Sequence, residues 1–594
     1  MAEERSTVLF SKLDEAFEPK DAMSPYGLRT KWRVTPYSND TVDGNMLSSL
    51  DGDPPDLTFD PKLYGWYKIY LHIPGTSKIS LKLSSDRAFR MANSDYGSPF
   101  YMERVYWRSA DMSGQSLILS RSVFALETKC YLSAVEFVPM TDEEVEEWKR
   151  EEARTDTKRI YASDDMHNRV FEMNQPNYED WLALVDFYEH SDVEWLSLEQ
   201  IRTFVCDRLP SENVDDFAFL RKGDKKVQKE FFGLDYDRVL REVVSYGHEK
   251  GLKMSISLRM GAWGMAFPYD QYYFDCDFMV NHPELRTIDR NGEEVYALSY
   301  AYPEVQRFLV DELLNMARSG CDAVTLIAHR GIPYVLFEKP VADRFYELYG
   351  EYPYEYPLDD PRLNKLHCDI MIEFFRMLRS ELDSEFGKGK VEIHLRGMFS
   401  LYDCKMIGLD LERLAAEGLL DAAVCHPQRH YDRLDGDVWQ EGEDYKIDLE
   451  KYTADARARC LGLCAHSGVN GFEPAYKNYR GELCGPETKE QWVDEWMSLE
   501  KNYGTKVYFD ILPRVTPWEE LRKRVVELYS LGAERFAMWD TYCRAQNTRY
   551  WIVGSKVGHK DEIADMSFVG ESKLMRVRKI GEPDVSRYNP LWGG

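Results

Sequence analysis

PEVQRFLVDELLNMARSGCDAVTLIAH, residues 303–329, decides the architecture. Val305, Phe308, Leu309, Leu313 and Met316 recur at i, i+3, i+4 spacing, the period of a helix with one apolar face. The run 323–329 (AVTLIAH) that follows is short and apolar, as a buried strand is. The same unit recurs on both sides. Further strand candidates lie at 159–164 (RIYASD), 193–199 (VEWLSLE), 253–260 (KMSISLRM), 391–397 (VEIHLRG), 421–426 (DAAVCH), 506–512 (KVYFDIL) and 535–540 (RFAMWD). Helical spacing returns at Val239, Leu240, Val243 and Val244, and at Leu521, Val525, Leu528 and Tyr529. Eight strands alternating with helices predict an α/β fold, a (β/α)8 TIM barrel over residues 159–549. That span is long for such a barrel, so its loops must be elaborated, most of all after strands 3, 4 and 6.

Upstream the period changes to two. Tyr67, Ile69, Leu71 and Ile73 alternate with Lys68, Tyr70 and His72, and Ile79, Leu81 and Leu83 alternate with Lys78, Ser80 and Lys82. Pro74-Gly75 between them marks a turn. Residues 1–140 are therefore expected to form an N-terminal β-sandwich of jelly-roll type. Residues 141–158 (TDEEVEEWKREEARTDTK) read as a charged linker, its helix opened by a Thr141–Glu144 capping box. Residues 550–594 are expected to pack back on the barrel or the sandwich.

Composition narrows the function. Against 103 Asp and Glu stand 75 Lys and Arg, a net charge of −28, which disfavours nucleic acid or an anionic membrane as the main partner. No apolar run reaches membrane-spanning length. Met1-Ala2-Glu3-Glu4-Arg5 has no apolar leader, and the 11 cysteines are scattered without a CxxC pair. Both features suit a cytoplasmic, reducing setting. Cys460, Cys464 and His466 lack a second ligand pair, so no structural zinc is expected. The absence of GxxxxGK[ST], of GxGxxG after a strand and of GxSxG removes nucleotide cofactors and serine-hydrolase chemistry, and no cofactor is expected. The sequence leaves the oligomeric state open, a homo-oligomer included.

In such a barrel the chemistry sits where the strands end. Those ends carry Asp164 and Asp165, Glu199, Arg259, His329 and Arg330, His394 and Arg396, His426, Asp510 and Arg514, and Trp539 with Asp540. Each residue alone has a structural explanation; their convergence at one rim is what suggests a site. Glycosidic bond hydrolysis fits best, since it needs two carboxyl groups across a sugar ring and gains from aromatic walls. Trp539 stands at the end of strand 8, and Trp263, Tyr269, Tyr272 and Tyr273 crowd the loop after strand 3. Arg259, Arg330, Arg396, Arg429, Arg514 and Arg544 would suit an anionic glycan.

The stretch 281–331, NHPELRTIDRNGEEVYALSYAYPEVQRFLVDELLNMARSGCDAVTLIAHRG, resembles bacterial glycoside-hydrolase-like barrels of the family-10-like group, as do 409–421 (LDLERLAAEGLLD) and the 510–540 segment ending GAERFAMWD. The resemblance implies a barrel behind a sandwich, acting on carbohydrate. Many such barrels place an acid at the end of strand 4, where this chain has Ala328-His329-Arg330; the next carboxylate is Glu338. The expected catalytic pair is accordingly Glu338 and Asp510, with Asp540 and Glu473 in reserve. The expected substrate-binding residues are Asp164, Glu199, Arg259, Trp263, His329, Arg330, His394, Arg396, His426, Arg514 and Trp539.

Two other classes compete. A metal-dependent barrel hydrolase could use His394, His426 and Asp540, but strand 1 lacks the H-x-H such enzymes carry. A glycan-binding protein on a barrel that has lost its acid is the other.

Overall fold

The computed structural model describes residues 5–50, 54–75, 77–87, 89–94, 101–121, 129–165, 178–199, 236–261, 263, 276–329, 332–426, 476–477, 483–511, 518–539, 551, 553–567 and 573–582. Eight parallel strands close into a barrel: β1 (Ile160–Asp165), β2 (Val193–Glu199), β3 (Lys253–Arg259), β4 (Ala323–Ile327), β5 (Glu392–Arg396), β6 (Ala422–Cys425), β7 (Lys506–Asp510) and β8 (Phe536–Met538). Closure is made by β8 on β1, through Ile160–Phe536, Tyr161–Ala537 and Ala162–Met538. The helix expected before β4 runs Pro303–Ala317 and buries Val305, Leu309, Leu313 and Met316.

A strand turns alternate residues to opposite faces. On one face lie Tyr161, Trp195, Ala323, Ala422, Val424, Tyr508 and Ala537, which form a single cluster inside the barrel. Large rings face alanines there, so the lumen fills without voids. On the other face Ile160, Ala162, Leu196, Leu198, Met254 and Ile256 join the helices in the main apolar core. Toward the strand starts the lumen ends in charge: Tyr508 Oη and Lys253 Nζ both donate to Glu194, at 2.9 and 2.8 Å.

The N-terminal residues form two sheets, one of nine strands and one of four, with every pairing antiparallel except Met23–Ser24 on Trp32–Asn39. Leu81, Leu117 and Leu119 of the smaller sheet pool with Ile69, Leu71 and Phe137 of the larger in one core. The strands expected on either side of Pro74-Gly75 are Trp66–Pro74 and Lys78–Leu83, and they belong to different sheets. The capping box is present: Glu144 N donates to Thr141 Oγ1 at 3.2 Å, and Thr141 N donates to Glu144 Oε2 at 2.9 Å.

The chain's last described strand, Lys573–Ile580, lies between Trp32–Asn39 and Tyr101–Asp111 in the nine-stranded sheet. Met575 and Val577 turn inward there against Tyr37, Met46 and Met102. The N-terminal sheet thus depends on residues some 500 positions downstream of its other strands. Truncating Met575 to Ala should lower unfolding free energy by about 2–5 kcal/mol, the usual cost of a buried large-to-small change. An unchanged denaturant midpoint would show that this strand adds nothing to the sheet.

Candidate active site

The two-residue period that puts Tyr161, Trp195 and Tyr508 inside the barrel also fixes what stands at its mouth. Continuing along each strand in steps of two gives Glu199 on β2, Arg259 on β3 and Arg396 on β5, with Asp510 on β7. The same steps past β4, β6 and β8 give His329, His426 and Trp539. All seven are buried. In the layer below them Ile327 packs against Trp539.

Asp510 is the hub of this layer. Its Oδ2 accepts from an Arg396 guanidinium nitrogen and lies 3.1 Å from His426 Nδ1. A guanidinium and a ring N–H on one oxygen favour the ionised carboxylate. An ionised carboxylate only accepts, so a proton on His426 Nδ1 is the arrangement that suits this contact. Arg396 also donates to Ser163 Oγ at 2.7 Å, and its guanidinium lies 4.9 Å from the Trp539 ring centre. One side chain thereby ties β1, β5 and β7 to the residue that follows β8.

The His329 ring stacks on His426 at 3.9 Å, with 29° between the planes, and Trp539 meets His329 edge-on at 4.8 Å. Across the mouth Glu199 and Arg259 form a buried ion pair on adjacent strands. Both described rim arginines are thus bound to the site's own carboxylates, which leaves the anionic-glycan expectation without support from Arg259 or Arg396.

Four expected site residues take other places. Glu338, expected to pair with Asp510, is fully buried at the N-cap of the helix Lys339–Tyr349. Both its oxygens accept from Leu336 N, at 3.1 and 2.9 Å, and Ser299 bonds it as well. His367 Nε2 lies 2.9 Å from the Leu336 carbonyl oxygen on the other side of the same loop. Glu338 therefore serves the loop after β4, held by Leu336 and Ser299, whereas Asp510 is held by Arg396 and His426. Asp164 lies on the outward face of β1, where the Tyr188 hydroxyl donates to it at 3.1 Å. His394 sits one layer below the mouth. Its nitrogens are 3.1 Å from Tyr161 Oη and 2.8 Å from Glu392, and its ring packs 4.5 Å from Trp195. That placement also removes His394 from the metal triad considered with His426 and Asp540. Trp263 is a core residue, near Phe308 of the helix Pro303–Ala317. Arg330, Glu473, Arg514 and Asp540 lie outside the described residues.

Ser163 was missed as a site residue. Counting in twos from Tyr161 assigns Ser163 and Asp165 inward and Asp164 outward, and that signal is present in the sequence. A cavity of about 410 Å³ lies apart from the mouth, among the outer helices, lined by Leu401, Lys405, Asp410 and Glu495 among others. Burial and then repulsion from Asp403 push Glu495 up to about 7.

With this geometry established, the chain was compared with known proteins. No family model matches it, and no curated protein does. Among solved structures, similarity extends to the glycoside hydrolase domain of PgaB from Bordetella bronchiseptica, 12% identical, covering 69% of this chain and 99% of that one at a TM-score of 0.39. The catalytic domain of a β-amylase from Paenibacillus polymyxa is 11% identical, with 68% and 98% covered and a TM-score of 0.36. The glycoside hydrolase domain of PelA from Pseudomonas aeruginosa is 12% identical, with 59% and 90% covered and a TM-score of 0.29. The barrel assignment stands on the strand pairing described above.

Two outcomes follow. Burial pushes Glu338 up to about 7, so the folded chain holds a proton there that the unfolded chain releases near its ordinary 4.5. The group's contribution to stability is full below that ordinary value and is lost as pH rises through about 7. Glu338→Gln, which cannot ionise, should gain melting temperature relative to wild type as pH is raised across this window. A pH-independent difference would contradict the assignment. Arg396→Ala, leaving Asp510 buried without its guanidinium, should cost about 3–5 kcal/mol in denaturant unfolding.

Proposed function

We propose that the barrel mouth hydrolyses glycosidic bonds, and that the carbohydrate substrate lies against Trp539 over Asp510. The supporting observation is the Asp510 hub, an ionised carboxylate held by Arg396 and His426 beside an aromatic wall. Hydrolysis develops positive charge on the sugar ring, and a fixed negative carboxylate stabilises it, as nucleophile or as counter-charge. His426, held through Nδ1, can exchange a proton at Nε2 with the leaving oxygen or with water. Asp540, next to Trp539, and Glu473 remain our proposals for a second carboxyl group. Arg330 and Arg514 remain proposed substrate contacts, together with Glu199, Arg259 and His329. A jelly-roll description of the N-terminal sheets and a kinship with family-10-like barrels are likewise our own readings. Among the described residues no helix is long and apolar enough to cross a membrane, and Cys321, Cys368, Cys404 and Cys425 are buried thiols. The cytoplasmic setting remains a proposal.

A binding protein without catalysis is the second reading. It is favoured by the commitment of both described mouth carboxylates, Glu199 and Asp510, to arginines.

Screening neutral, uronic and amine-bearing oligosaccharides for new reducing ends distinguishes the two. On a cleaved substrate, Asp510→Asn should lower turnover by at least about 100-fold, and Glu338→Gln should leave it unchanged. Binding without cleavage of any glycan would establish the second reading, and a fully active Asp510→Asn would move the catalytic centre elsewhere.

A further inference from the structure

The loop after β4 leads into a surface that the mouth does not use. The helix Lys339–Tyr349 ends at Gly350, whose φ of 74° turns the chain into the short helix Pro353–Glu355. That turn folds Tyr352 back on the helix. Tyr346 and Tyr352 stack at 4.8 Å with 27° between rings, and Tyr352 and Tyr354 continue the stack at 5.9 Å and 22°. Tyr346, Tyr352 and Tyr354 keep 48%, 50% and 39% of their surface exposed, beside Leu348 at 56% and Tyr349 at 38%. Elsewhere among the described residues exposed large apolar side chains are more scattered; here five fall within nine residues. Clustered exposed rings of this kind are a usual feature of contact surfaces.

The charge around the rings narrows the occupant. Residues 339–362 carry Asp343, Glu347, Glu351, Glu355, Asp359 and Asp360 against Lys339, Arg344 and Arg362. The cations are engaged: Lys339 with Asp343, Arg344 with Glu373, and Arg362 with Glu351 and Asp360. Glu347 and Glu355 stand exposed next to the tyrosines in sequence. Ring faces suit the C–H faces of sugars and attract ammonium groups, while the surplus carboxylates repel uronates and sulfates.

We propose that Tyr346, Tyr352 and Tyr354, with Glu347 and Glu355, form a glycan-binding platform outside the barrel mouth that prefers sugars bearing free amines. This rests on the carbohydrate reading above and adds a substrate class to it. The platform belongs to the loop that leaves β4, so it would hold one stretch of a long chain while another lies at the mouth.

The test is titration calorimetry of the full chain with glucosamine oligomers, their N-acetylated counterparts, oligogalacturonate and poly-lysine. Glucosamine oligomers should bind best, and Tyr352→Ala with Tyr354→Ala should weaken them by about tenfold or more. Glu347→Gln with Glu355→Gln should weaken the amine form but not the N-acetylated form. Tyr352→Ala with Tyr354→Ala should leave turnover of a short neutral substrate at the mouth unchanged, which separates failure of the platform from failure of the catalytic reading. Binding indifferent to the tyrosine pair, tighter binding of oligogalacturonate, or tyrosine-dependent binding of poly-lysine as tight as that of the sugar would each overturn the proposal.

Discussion

A guanidinium taken out of water has to be answered by charge and by hydrogen bonds, or the fold gives up several kcal/mol. Arg396 is 1% exposed at the mouth of this barrel, and it is answered by Asp510, by Ser163 and by the ring of Trp539. Those partners come from three other places on the barrel wall, so the side chain braces the mouth across its width. The same contact defines the chemistry. It favours Asp510 as an anion, and the same oxygen lies 3.1 Å from His426 Nδ1. Structural and functional demands therefore meet on one ion pair. A lysine could not make the same set of contacts, since it lacks a planar fork to span a carboxylate and a hydroxyl while lying over an indole.

The large-and-small packing beneath gives that pair its setting. Tyr161, Trp195 and Tyr508 fill the lumen against Ala323, Ala422 and Ala537, and Ile327 closes the space under Trp539. On this floor His394 is held by Tyr161 and Glu392. Titratable groups elsewhere show the same economy of purpose. Glu338 and His367 grip the two sides of Leu336, and burial moves them in opposite directions, the acid up to about 7 and the imidazole down to about 4. A shifted acid in a barrel loop would ordinarily be a catalytic candidate; here its hydrogen bonds identify it as part of the loop's own support.

Much of this was legible in the sequence. Apolar runs of the right length, separated by helical spacing, located all eight strands, and 193–199 was placed residue for residue. Glu199, Arg259, His329, Arg396, His426, Asp510 and Trp539 were all marked as strand-end residues, and all seven stand on the inward period. What failed was depth and direction. Strand ends alone do not say which way a residue faces, and the two-residue step from Tyr161 puts Asp164 on the outward face, where Tyr188 meets it. They do not say which layer a residue reaches, so His394 was taken together with Arg396 although two residues apart means one layer lower. Glu338 was chosen because it was the next acid along the chain, and its bond to Leu336 is a loop conformation that no periodicity encodes. The contribution of Lys573–Ile580 to the N-terminal sheet was out of reach for a similar reason: pairing between distant strands is set by the whole fold, and the period of one strand is silent about its neighbours.

The central claim is that sugar binds at the mouth over Asp510. A crystal structure of the Asp510→Asn protein soaked with the oligosaccharide it binds tightest tests this most directly. The account requires a sugar ring against Trp539, with a hydroxyl or glycosidic oxygen within hydrogen-bond reach of residue 510 or His426. A sugar ordered elsewhere on the chain while the mouth holds only solvent would contradict it.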